Sequence, residues 1–191
     1  LADEAIAIST KYSFEVARAW SISSQGWALA RNGDEKGIAR LREGLAATQA
    51  TGAALNNTYT LALLAERYLH DGRIDEGLDA VANAQQLAAT QGERFWTAEL
   101  SRLKGELLLG GADPPIEAAE QCFREALTIA RNQCALMLEL RAATSMAKLL
   151  KMLKRSEDAR RLVGGICSRF KKRADCEDLQ DAQTVLDQLR T

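Results

Sequence analysis

Small residues recur along this chain at a spacing close to forty positions, and few folds can use such a repeat. Gly37, Gly77, Ala119 and Ala159 are separated by 40, 42 and 40 residues. Four positions beyond each stands a larger apolar residue: Leu41, Val81, Phe123 and Val163. Seven positions beyond stand Gly44, Ala84, Ala126 and Ile166. Another small residue, Gly26, Ala65, Gly105 or Ala147, precedes each set by 11 to 14 positions. Spacings of four and seven keep side chains on one face of a helix, and small residues on that face let two helix backbones approach. Self-similarity at this period marks stacked supersecondary units, each burying its apolar face against the next. The expected fold is therefore all-α: four helical hairpins near 11–52, 56–92, 95–134 and 136–173, then a capping helix over 177–190. Together they make one solenoid domain spanning 1–191.

Composition agrees, with 47% hydrophobic residues and only two prolines in 191, so helix is the default. The turns are marked by Asn32-Gly33-Asp34, Thr51-Gly52, Asp71-Gly72, Gln91-Gly92 and the stretch from Gly110 to Pro115. A glycine just past a helix end can take the left-handed conformation that caps it, and proline suits a first helical turn. Ser156 is placed as an N-cap. Leu179, Ala182, Val185, Leu186 and Leu189 lie at helical spacing in the last helix, with Asp181 and Asp187 facing outward. Gly164-Gly165 interrupts a helix interior and reads as a kink or a close helix contact, with a functional hinge as the alternative. The chain opens on Leu1, which reads as a piece of something longer.

The small–large–small pattern resembles the tetratricopeptide repeat, with Leu64, Ala65, Tyr68, Gly72, Gly77 and Ala84 fitting it in the second hairpin. Gly92 to Leu109 (GERFWTAELSRLKGELLL), Ala119 to Leu150 and Gly26 to Ala53 are similar to a more specific group. That group is the C-terminal tetratricopeptide-like region of bacterial multidomain signalling proteins. In these, a class III adenylate/guanylate cyclase or a transcriptional-regulator domain is fused to a signal-transduction NTPase. The resemblance covers nearly the whole chain and is strongest from Gly92 to Leu150. It implies a right-handed superhelical array serving as a sensor or scaffold arm. It does not carry cyclase or ATPase chemistry into this stretch, which has no G-x-x-x-x-G-K-[ST] phosphate loop. The segment SRFKKRADCEDLQDAQTVLDQL departs from the family pattern, although its apolar spacing survives.

Candidate chemistry is sparse. The one histidine, His70, is the only imidazole that could activate a nucleophile, but it falls at a helix end, where an imidazole meets the negative end of the dipole and the structural reading is preferred. Glu117 and Glu120 lie one turn apart near the start of a helix, where carboxylates complement its positive end. Cys122, Cys134, Cys167 and Cys176 form no C-x-x-C pair, so no metal site or cofactor is expected, and reduced thiols point to the cytoplasm. No run of 18 apolar residues offers a membrane span.

An ionic stripe stands out. Glu99, Arg102 and Glu106 follow one another at spacings of three and four, and Glu139 and Arg141 sit on the next hairpin's first helix. These five either line a groove that recognises a peptide or form a network between repeats. Trp27, Tyr68, Phe95 and Trp96 read as core aromatics at repeat seams. Ten Lys and Arg lie between Lys148 and Arg173 against Glu157 and Asp158, with Lys171, Lys172 and Arg173 as a basic patch. The patch could meet nucleic acid or an acidic partner; a solvated helix face is the plainer reading. The expectation is a non-catalytic arm that binds a protein or peptide, including upstream domains of its own chain. Self-association into a homo-oligomer is the alternative.

Overall fold

The computed structural model of the protein describes residues 1–170 and 176–189. Among these residues there are ten helices and no strand. They are α1 (Ala2–Lys11), α2 (Glu15–Arg31), α3 (Lys36–Ala50), α4 (Asn57–His70), α5 (Ile74–Gln91), α6 (Thr97–Leu109), α7 (Ile116–Asn132), α8 (Leu136–Met152), α9 (Ser156–Cys167) and α10 (Glu177–Gln188). The protein is all-α. No helix among the described residues is long and apolar enough to cross a membrane. The chain divides into two compact units, Leu1–Trp96 and Thr97–Thr191, where the sequence alone suggests one domain.

In the first unit α2 and α3 form a tight hairpin, with α1 packed on α2. The turn works because Gly33 adopts φ +79°. Its amide donates to the Ala30 carbonyl (3.1 Å) and the Asp34 amide to Leu29 (3.0 Å), satisfying two carbonyls that the helix leaves open. The two backbones then nearly touch. A Cβ placed on Gly26 would lie 2.6 Å from the Leu41 amide nitrogen, and one on Gly44 would lie 2.7 Å from that of Ser23. The hairpin α4–α5 packs next through α4, which lies on α3 and touches α2. There the Arg67 guanidinium donates to the Ala30 carbonyl at 2.7 Å while pairing with Asp71 at 2.6 Å. Helix α3 buries Gly37, Leu41, Gly44 and Thr48; α5 buries Gly77, Val81, Ala84 and Ala88, each forty positions on.

The second unit repeats the device. Helices α6 and α7 pair across the Gly110–Pro115 loop, with Gly105 so close to Phe123 that a Cβ would meet its ring at 2.5 Å. Helix α7 buries Ala119, Phe123, Ala126 and Ala130, and α9 buries Ala159, Val163 and Ile166. Helix α8 packs against α6, α7, α9 and α10. The core runs from Phe123 and Leu127 through Leu140 and Leu149 to Val163, Ile166 and Val185.

Two local expectations change. The N-cap of α9 is Arg155, which makes no side-chain capping bond, and Ser156 is the first helical residue. Helix α9 continues through Gly164 and Gly165. A Cβ on Gly165 would meet nothing within 4 Å, and one on Gly164 only Leu186 at 3.9 Å, so no crossing demands either glycine.

Candidate functional site

The ionic stripe of α6 lies against α8, and its residues bond to one another across the two helices. Arg102 holds Glu99 with two bonds, Nε to Oε2 at 3.0 Å and Nη2 to Oε1 at 2.7 Å. From α8, Arg141 donates to the same Glu99 Oε1 at 2.8 Å and, from its Nε, to Asp178 of α10 at 3.0 Å. Ser145 of α8 donates to Glu106 Oε1 at 2.5 Å, and Arg102 reaches the Ser145 hydroxyl at 3.4 Å. The side chains of Glu99 and Arg102 are only 5% and 10% exposed. A pair this dry persists only when both ions are fully engaged, as here.

The bonds also fix direction. Glu99 meets Arg141, Arg102 meets Ser145, Arg141 meets Asp178, Lys148 meets Asp181 at 2.8 Å, and Lys151 meets Gln188 at 2.9 Å. Residue numbers rise together on each pair of helices, so α6, α8 and α10 run parallel in a row. The sequence separations within these bonds are 33 to 43 residues.

Of the five stripe residues, Glu99, Arg102, Glu106 and Arg141 come together. Glu139 does not join them. It is 3% exposed and held by Arg131 (2.8 Å) and by Arg169. Two positions along α8 turn the side chain by ~200°, so Glu139 and Arg141 face opposite ways. Burial pushes the Glu99 carboxyl up. The Arg102 charge and hydrogen bonds, helped by Arg141, outweigh that and hold it below its ordinary value. Burial likewise raises Glu139, and bonds from Arg131 and Arg169 more than reverse it. Sequence reasoning missed Ser145, Asp178, Arg131 and Arg169, which carry no local pattern.

His70 sits at the end of α4 with its side chain 77% exposed, its Nδ1 3.4 Å from Asp71 Oδ1. Glu120 bonds Arg124 and Arg155, and the Arg124 bond, ahead of a smaller upward push from burial, holds its carboxyl low. Tyr68 is buried. Trp27 and Phe95, expected in the core, are exposed: Arg31 lies 5.3 Å over the Trp27 ring, and Phe95 meets Trp96 edge-on at 5.0 Å. Trp96 in turn stacks on Tyr59 at 4.4 Å. All four cysteines are free, Cys122 buried and Cys134 exposed. Among the described residues no group of three or more His, Cys, Asp or Glu could hold a metal. Lys171, Lys172 and Arg173 lie outside the described residues. The described part of the basic stretch is largely engaged, with Arg155 on Glu120 and Asp158, Arg160 on Glu157, and Lys148 on Asp181.

No protein-family model matches the chain. Over 130 residues, 68% of its length, it is 32% identical to the uncharacterized protein R02095 of Rhizobium meliloti (strain 1021). The chain spans 12% of that relative's length.

Proposed function

We propose that this chain is a tetratricopeptide-like, right-handed superhelical array acting as a non-catalytic arm of a larger bacterial signalling protein. In this reading the arm binds a protein or peptide, and the rest of the protein is a cyclase- or transcription-linked ATPase. Binding works by differential affinity: a partner that prefers one arrangement of the parent shifts its equilibrium toward that arrangement.

The parallel row α6–α8–α10, with its bonds at roughly the repeat spacing, carries this reading. Support also comes from second helices that bury equivalent positions, Gly37 and Leu41 in α3, Gly77 and Val81 in α5, Ala119 and Phe123 in α7. The chemistry of the buried acids fits a binding role. Glu99 and Glu139 are held below the ordinary carboxylate range by arginines, whereas a general acid or base works best with a pKa near the working pH.

Chemical-shift mapping with peptides of differing charge tests it. The account predicts perturbations on exposed positions of the first helices of the hairpins. Turnover of ester or phosphate substrates that disappears in His70→Ala, with no peptide bound, would overturn it.

A further inference from the structure

We propose that the α8–α9 surface beneath α10 is a helix-docking site that accepts an acidic amphipathic helix from another protein, with α10 as its resident competitor. The inference goes beyond the reading above, because it concerns the end of the second unit and stands whatever the exposed faces of the row bind.

Helices α2 to α9 pair two by two as neighbours in sequence, and α10 stands outside those pairs; among the described residues it packs on α8 and α9, which are already paired with each other. Its own sequence therefore reports what that surface accepts. Ala182, Val185, Leu186 and Leu189 are buried, at relative positions 0, 3, 4 and 7, the anchor pattern of a helix laid in a groove. Along one border α8 presents Arg141, Lys148 and Lys151, which meet Asp178, Asp181 and Gln188 of α10 in the same order. A row of cations selects an acidic helix and also its direction, parallel to α8. The grip is modest. Lys148 and Asp181 are each 50% exposed, and exposed pairs of this kind hold weakly. Four apolar side chains supply the anchors, so an incoming helix with the same anchors meets the same surface and has only the tether of α10 to overcome.

A labelled peptide spanning residues 176–189 titrated into the full chain by fluorescence anisotropy tests the proposal. Val185→Asp with Leu186→Asp in the chain releases α10 and leaves α8 and α9 untouched. This variant is expected to bind the wild-type peptide about tenfold or more tightly than the wild-type chain does, because the competitor no longer occupies the site. Adding Lys148→Glu and Lys151→Glu to the variant removes that binding. A folded variant that does not bind the peptide overturns the proposal, as does binding that is no tighter than wild type or that survives the charge reversal. Hydrogen exchange on the unaltered chain decides the matter if the variant does not fold. The α10 amides are expected to exchange through an opening that α8 and α9 do not share, and exchange only by global unfolding overturns the proposal. A wild-type dimer dissolved by the peptide would instead make a second copy the occupant and overturn it as stated.

Discussion

Glycine does opposite work at two positions of this chain. Gly37 lies where α3 crosses α2, and a Cβ there would come 2.6 Å from both Cα and Cβ of Ala30. Gly165 faces open space inside α9. Gly37→Ala should therefore lower the unfolding free energy by about 1–3 kcal/mol through overpacking. Gly165→Ala should raise it by about 0.5–1 kcal/mol through helix propensity. Urea unfolding of the two variants checks both signs, and equal signs would contradict the packing described. Lys154 offers a third case. It holds φ +59° at the end of α8, where its amide bonds Lys151 and the Arg155 amide bonds Leu150, the same closure that Gly33 makes. A side chain there costs about 1 kcal/mol, so Lys154→Gly should raise the thermal midpoint. The crossing at Gly37 is legible in the sequence because only a small residue fits it, and the same residue type recurs at each second helix. The closures at Lys154 and at Cys134, which holds φ +53° just past α7, are not legible, since neither residue type announces a left-handed backbone.

Between helices, the buried ions set the alignment of α6, α8 and α10. Removing Glu99 takes away the carboxylate that Arg102 and Arg141 share, leaving Arg102 to the more distant Glu106 (3.5 Å) and Arg141 to Asp178, so Glu99→Ala should destabilise by about 3 kcal/mol. Chemical denaturation measures this directly. The carboxyls of Glu99 and Glu139 are held below the ordinary value of 4.5. Their contribution is therefore complete above that pH and declines as pH falls through the lowered folded-state values, since the unfolded chain then binds more protons. Stability measured from pH 7 downward should fall below about pH 4.5, and less steeply in Glu99→Gln. The stripe itself is readable from its spacing, Glu99, Arg102 and Glu106 along one face. Its partners are not. Helical periodicity says which face a charge occupies, but the neighbour it meets depends on which helix is laid alongside. Ser145 and Asp178 acquire meaning only once α8 and α10 stand beside α6. Trp27 and Phe95 fail for a related reason, because an aromatic's size argues for burial while an arginine or another ring can cover it at the surface.

At the scale of the whole molecule, each compact unit has a core of its own, and within each unit the helical hairpins pack on their neighbours in the chain. Such construction makes stability approximately a sum of local terms, and pieces that keep their own layers keep their structure. Both compact units contain their own buried residues, among them Leu41, Ala65 and Val81 in the first and Phe123, Leu140 and Val163 in the second. The most direct measurement is far-UV circular dichroism of residues 1–96 and 97–191 expressed separately. The account predicts that each unfolds cooperatively on heating, and that their summed helical signal equals that of the intact chain. Two pieces that are largely unstructured apart and helical only when joined would contradict it.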